Sequence, residues 1–375
     1  MVYLDYNAST PIDERVLERM VEVYRTTYGN ADSRTHLFGT KAKELVNSSR
    51  NTIAEVLDVS PMDLIFTSGS TESNNMAILG LMNYVKETGR NHFITTAIEH
   101  KSVLECMRYL ERNGCTVDYV KPDQSGRVNV DEVLSHVSSH TALVSIMHVN
   151  SETGIIQPVQ EIGQALKGTN TLFHVDATQG VGKLNDMLRA LPYDMMSFTA
   201  HKIGGPQGIG GLVLRRNERY QRPPIQPLMY GGSQERGFRP GTTPVALVAG
   251  FAYAVQLCDL EENVNREACS EIKRQLLESI STVKYEINGS PEYCLPSMIN
   301  VSFTGVDAEG LFLSLKDDYA FSNGSACNSN SHSPSYVLTA MGIPEERINE
   351  AVRLSWDKKT KVDFRKLVSY IKSIA

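Results

Sequence analysis

The sequence predicts an α/β protein, with a large domain on a mostly parallel sheet and a smaller α+β domain toward the C-terminus. Two observations carry the prediction. Short apolar runs alternate with amphipathic helical stretches through the first two thirds of the chain, the pattern of repeated strand and helix units. At 375 residues the chain also exceeds one typical domain, and chains of about 300 residues already bury roughly 75% of the surface their unfolded forms expose. The large domain is expected over 13–256, and the small one over 1–12 and 257–375.

In chain order, strands are expected at 63–67, 92–97, 142–148, 171–176, 195–199 and 211–215. Each of the first five ends where a polar, glycine-bearing or charged motif begins. Ligands sit at the carboxyl ends of strands in open parallel sheets, so these junctions are the expected site. A proline-rich stretch at 222–227 and a glycine-rich one at 231–237 precede a helix from about Pro244. Beyond it lie a strand near 297–303, a Ser-, Asn- and Gly-rich loop at about 321–333, and a terminal helix. In that helix Phe364, Leu367, Val368, Ile371 and Ile374 share one face.

Composition removes several classes of function. The net charge of -6 and pI near 5.9 argue against a surface made for phosphate backbones, so direct nucleic-acid binding is not expected. No run of eighteen apolar residues is present, and the N-terminus has no basic region followed by an apolar one, so neither a membrane span nor a signal peptide is read. Six cysteines without C-x-x-C spacing disfavour a zinc site and a disulfide framework. No metal is expected, and a reducing cytoplasm fits best.

Chemistry concentrates at a few motifs. The segment Thr67-Ser-Gly-Ser-Thr-Glu-Ser-Asn-Asn75 follows a strand and opens a helix, which suits either a phosphate at the helix N-terminus or an ordinary capped helix. Ser70 and Thr71 are its hydroxyl candidates. Asp176 ends an apolar strand, where an unpaired carboxylate is expensive to bury. Lys202 sits in His201-Lys-Ile-Gly-Gly-Pro-Gln-Gly-Ile-Gly-Gly211, whose glycines allow close backbone approach. Together the lysine and aspartate are what pyridoxal 5'-phosphate (PLP) requires, an amine to bond its aldehyde and a carboxylate to keep its pyridine nitrogen protonated. Thr199 and His201 are placed to touch a phosphate, Gln179 to reach the ring's phenolic oxygen, and His100 to lie over an aromatic cofactor or relay a proton. Cys327 sits among Ser, Asn and Gly in a stretch that cannot build a core, so it reads as an accessible thiol. Cys106, Cys258 and Cys269 lie in helical patterns and read as structural.

Taken together, the segments resemble a NifS/IscS-type cysteine desulfurase, a fold-type I PLP enzyme of the class V aminotransferase group. The resemblance runs from Tyr3-Leu-Asp-Tyr-Asn-Ala-Ser-Thr-Pro11 and Ser33-Arg-Thr-His-Leu-Phe-Gly39 to Val352-Arg-Leu-Ser355. It implies that Lys202 holds PLP, Asp176 pairs with its pyridine nitrogen, Gln179 contacts its phenolic oxygen and His100 stacks on its ring. It further implies that Ser70, Thr71, Thr199 and His201 bind the phosphate, with Thr242 reaching in from the second subunit of a homodimer. Arg353 would clamp the carboxylate of L-cysteine, with Asn150 and Ser151 beside it. Cys327 would take the sulfur as a persulfide, leaving L-alanine, and pass it to an acceptor protein. A free thiol with a pKa of about 8.5 is mostly protonated at neutral pH, so activation by His100 or the cofactor is expected. His332 is the only basic group close to Cys327 in sequence.

Three departures from the family pattern stand out. Ser151 replaces the second asparagine of the usual Asn-Asn-Glu, and Gly29-Asn-Ala31 replaces the usual Gly-Asn-Pro. The tail after Cys327 ends at residue 375, short of the segment by which housekeeping desulfurases dock the iron-sulfur scaffold. This implies a dedicated acceptor, in a DNA phosphorothioation system or another thiolation pathway. A selenocysteine lyase or a class V aminotransferase on the same frame is the alternative, and an inactive assembly platform the remoter one.

Overall fold

The computed structural model describes residues 1–324 and 334–374. Twelve strands form three sheets among the described residues. In chain order they are β1 (Val2–Tyr3), β2 (Leu64–Thr67), β3 (His92–Thr96), β4 (Thr116–Val120), β5 (Thr141–Met147), β6 (Leu172–Asp176), β7 (Met195–Thr199), β8 (Gly210–Leu214), β9 (Tyr285–Ile287), β10 (Met298–Phe303), β11 (Tyr319–Ala320) and β12 (Ala351–Ser355). Three helices precede or follow the site, α1 (Glu14–Thr26), α2 (Leu37–Val56) and α3 (Ser70–Leu79).

Seven strands make the main sheet, in the order β2-β8-β7-β6-β5-β3-β4. Only β8 runs against its neighbours, pairing antiparallel with both β2 and β7, and the other pairs are parallel. Successive side chains of a strand point to opposite faces, and here both faces are covered. Val144 and Ile146 of β5 enter one core with Phe66, Met196 and Phe198, while Leu143 enters another with Ile65, Met195 and Leu212. Each such fully buried aliphatic or aromatic side chain contributes about 1.5–3 kcal/mol. α1 and α2 pack on the helix Val245–Leu260, closing the first of these cores.

The expected strands all form, with ends shifted by a residue. β4 was not read from the sequence, because as an edge strand it is largely half-exposed and carries little apolar signal. The smaller sheet, β12-β10-β9, is antiparallel and has its own core, to which Trp356, Phe303 and Leu4 belong. Leu4 arrives from the other end of the chain, because β1 pairs with β11. The terminal helix Arg365–Ile374 adds Leu367, Val368 and Ile371, with Phe364 just before it. Ile374, expected on the same face, is instead 44% exposed at the helix end. No helix among the described residues is long and apolar enough to cross a membrane.

Candidate active site

The sheet delivers three chain segments to one edge. β6 ends on Asp176, and its neighbour β7 runs directly into the 3-10 turn Ala200–Lys202. β2 runs through Gly69 into α3. The first turn of α3 has no side-chain cap, and backbone N–H groups left open at a helix N-terminus are of the kind that receives an anion. Thr71 is exposed and Ser70 half-exposed at this end. A Cβ built on Gly69 would lie 3.6 Å from Thr199 Oγ1, and one on Gly210 only 2.7 Å from Gly69 Cα. Glycine at 210 is therefore what lets β8 and the start of α3 converge beside Thr199.

Asp176 is 5% exposed. Its carboxylate accepts from two neutral donors, Asn74 Nδ2 at 2.8 Å and Thr178 N at 3.0 Å. The same Asn74 amide donates to Ser102 Oγ at 2.9 Å, and Ser102 Oγ lies 2.8 Å from His100 Nδ1. His100 Nδ1 also accepts from Ser102 N, which makes it an acceptor and puts the proton of the neutral ring on Nε2. A relay of Asn74 and Ser102 thus joins the aspartate to the exposed His100. Sequence reasoning did not single out either residue, although Asn74 lies inside the quoted α3 motif.

Lys202 Nζ donates to two main-chain carbonyls of the N-terminal segment, Asn7 O at 2.6 Å and Ala8 O at 2.7 Å. Gln179 Nε2 shares Asn7 O, while its Oε1 accepts from Lys183 Nζ, which fixes the orientation of the amide. Burial, then the nearby Lys202, pushes Lys183 down to about 8. His201 lies beside Ser9 Oγ at 3.3 Å, and burial together with Lys202 pushes it down to about 4, so it stands neutral at neutral pH. Asn7 and Ala8 carry no sign of this role except their place in the N-terminal motif.

Across the site, Arg353 of β12 is 3% exposed. Its guanidinium pairs with Asp5 Oδ1 at 2.6 Å and donates to Ser151 O at 3.0 Å and Ser322 Oγ at 3.1 Å. Ser151 thus meets Arg353 through its carbonyl, which also accepts from Asn7 Nδ2 at 3.1 Å, and these contacts do not depend on its side chain. Asn150 is committed to its own turn. Its Oδ1 accepts from Glu152 N and Thr153 N, and its Nδ2 donates to Ile98 O. Thr242 is exposed on the segment before the helix Val245–Leu260, which Arg239 ties to α3 through Glu72 at 3.0 Å. Cys327 and His332 lie outside the described residues. Of the other cysteines, burial pushes Cys106, Cys258 and Cys269 up to about 12, which fits a structural role.

The residues present suit PLP. Neither donor to Asp176 carries charge, so a protonated pyridine nitrogen would give the buried carboxylate an ionic partner. Asn74 Oδ1 and Thr178 Oγ1 beside it are buried without a hydrogen-bond partner among the described residues, the mark of a site made for a further polar group. No group of acidic, histidine or cysteine side chains that would hold a metal ion is found among the described residues.

Comparison with known proteins agrees with this geometry. The family model for aminotransferase class-V matches residues 2–359. The cysteine desulfurase IscS of Escherichia coli O139:H28 (strain E24377A / ETEC) is 42% identical over 362 residues, covering 96% of this chain and 88% of that one. The crystal structure of DndA from Streptomyces lividans superposes with a TM-score of 0.83 at 43% identity, over 93% of this chain and 98% of that one. SspA in complex with cysteine gives 0.83 at 34% identity, over 96% and 100%.

Proposed function

The chain belongs to the aminotransferase class-V family and is a PLP-dependent cysteine desulfurase, and from that premise we propose how its residues divide the work. The observation that carries the proposal is the pair at adjacent strand ends, Lys202 after β7 and the buried Asp176 ending β6. When bound, PLP supplies an electron sink for the substrate's Cα. Lys202 holds the cofactor and then moves the α-proton at Nζ. Asp176 keeps the pyridine nitrogen protonated, with Asn74 and Thr178 orienting its two oxygens. His100 would lie over the ring, Gln179 would meet the phenolic oxygen, and Ser70, Thr71, Thr199 and His201 would hold the phosphate beside the uncapped end of α3. Thr242 completes that cradle from the second subunit of a homodimer.

L-Cysteine is the substrate. Arg353 binds its carboxylate, a task suited to a planar donor fork, and the Asp5 pair keeps the guanidinium aimed until the substrate arrives. The Cys327 thiolate takes the sulfur. An S–S bond forms as the substrate's Cβ–S bond breaks and the electron pair stays with Cβ, which takes up a proton equivalent to the one the Cys327 thiol gave up. The substrate's thiol hydrogen remains on the outer sulfur, and the α-proton held on Lys202 Nζ returns to Cα to complete L-alanine. The persulfide on Cys327 then passes to an acceptor protein, in thiolation, DNA phosphorothioation or iron-sulfur assembly. The similarity to both DndA and IscS supports keeping these recipients together.

Alanine and sulfide release from L-cysteine, with reductant and PLP present, tests this in the parent, Cys327→Ala and Lys202→Ala proteins. Loss of both products in both variants, on the order of 10³-fold for Lys202→Ala, is expected. Turnover that survives Cys327→Ala would favour a lyase or an aminotransferase instead.

A further inference from the structure

Glu152 has no place in the mechanism above, yet it is buried where charge is costly. It is 3% exposed and faces Arg353 in the turn after β5. Three backbone and side-chain contacts hold it still. Its N–H donates to Asn150 Oδ1 at 2.9 Å, its carbonyl accepts from Asn300 Nδ2 of β10 at 3.3 Å, and its Oε1 accepts from Ser335 Oγ.

What Glu152 touches is specific. Ser335 caps the helix Tyr336–Ala340, accepting from Leu338 N at 3.1 Å, and stands just after the segment 325–333. Gly324 stands just before that segment, with φ +82, and a Cβ there would lie 2.5 Å from Glu152 Cγ. Gly324 O in turn accepts from Arg353 Nη1 at 3.4 Å. One carboxylate side chain therefore meets both flanks of the stretch that carries Cys327. Asp5 pairs with Arg353 and also accepts from Ser322 Oγ on the first flank at 3.2 Å, whereas the Glu152 side chain meets both flanks.

We propose that Glu152 is a positioning residue for sulfur transfer, holding the two flanks of the Cys327 segment at a fixed separation beside the carboxylate-binding Arg353. The proposal rests on the reading that Cys327 takes the sulfur. Glu152 acts through those flanks and not on the cofactor, so the two effects separate. In the holoenzyme, Glu152→Ala is expected to slow single-turnover alanine formation and Cys327 persulfide labelling by about tenfold, the scale of a displaced reacting group. The cofactor's visible absorbance and affinity stay those of the parent.

Glu152→Gln keeps an oxygen for Ser335 and restores the rate to within about threefold, while Glu152→Met, of similar length but without that oxygen, stays as slow as Ala; a merely space-filling role would let Met restore it too. Alkylation of Cys327 by iodoacetamide without substrate, read by mass spectrometry, is expected to accelerate in Glu152→Ala. Parent-like transfer and alkylation in Glu152→Ala, beside an inactive Cys327→Ala, overturns the proposal alone. So does loss of the cofactor absorbance that Gln fails to restore. Full alanine formation by Cys327→Ala overturns the reading beneath it as well.

Discussion

Around Asp176 the site is built from neutral hydrogen bonds between a strand end of the large sheet and the helices beside it, whereas around Arg353 it is built from charges that meet across nearly the whole chain. Asn74, Ser102 and Thr178 reach Asp176 or its relay from β- and α-elements that already pack together. Arg353 and Asp5 are 348 residues apart and are held by the pairing of β1 with β11 and of β12 with β10. The neutral side can lose a charge without leaving a buried ion behind. The ionic side cannot, because a buried partner stripped of its counter-charge costs several kcal/mol.

The largest effect expected from this difference is on Arg353. Arg353→Ala leaves Asp5 unpaired and opens the end of the small sheet, so urea unfolding of the cofactor-free protein should show a loss of about 4 kcal/mol. Retained stability would mean that water already screens Asp5, and that the ionic side is softer than its burial implies. Next is Asp176→Asn, where catalysis falls by on the order of 10²-fold. Unfolding of the same cofactor-free variant should stay near the parent, since both donors to the carboxylate remain neutral. A matching loss of stability would erase the contrast between the two sides.

The smallest effect belongs to Glu99, beside His100 and wholly buried. Burial raises its carboxyl to about 8, against hydrogen bonds from Met147 N and Thr96, and Asp176 adds to the rise. The folded state therefore keeps a proton that the unfolded chain gives up above about 4.3. Stability from this group is whole below that pH and is lost as pH climbs toward 8. Burial raises Glu152 to about 7 in the same sense, and raises Asp194 and Glu262 as well, so Glu99 is one of several such groups among the described residues. Glu99→Gln should flatten part of the decline in Tm between pH 5 and pH 8, by about 2 °C. An unchanged slope would assign the decline to the other raised carboxyls, Glu152, Asp194 and Glu262, or to none of them.

Much of the cofactor side was legible before folding was considered. Asp176 ends an apolar strand, Lys202 stands among glycines, and the α3 motif joins a strand to a helix, so each announces itself within a window of ten residues or so. Asn74 was missed although it lies in such a window, because an amide on a helix shows its partner only when the strand beneath it is in place. β4 escaped because an edge strand buries too little to leave a pattern. The antiparallel entry of β8 left no local mark either, since strand direction is a property of connection and not of composition.

The alternation of strands and helices, the placing of Asp176 and Lys202 at or just after apolar strands, and the thiol at 327 can all be read along the chain. Those features depend on periodicity and on side-chain chemistry, both of which are written locally. Tertiary packing alone brings the carbonyls of Asn7 and Ala8 to Lys202, pairs Asp5 with Arg353, and sets Glu152 against both Gly324 and Ser335. Such contacts join segments that no repeat or spacing relates. They exist because the small sheet gathers both ends of the chain against the large one, and burial then forces every polar group there to find a partner.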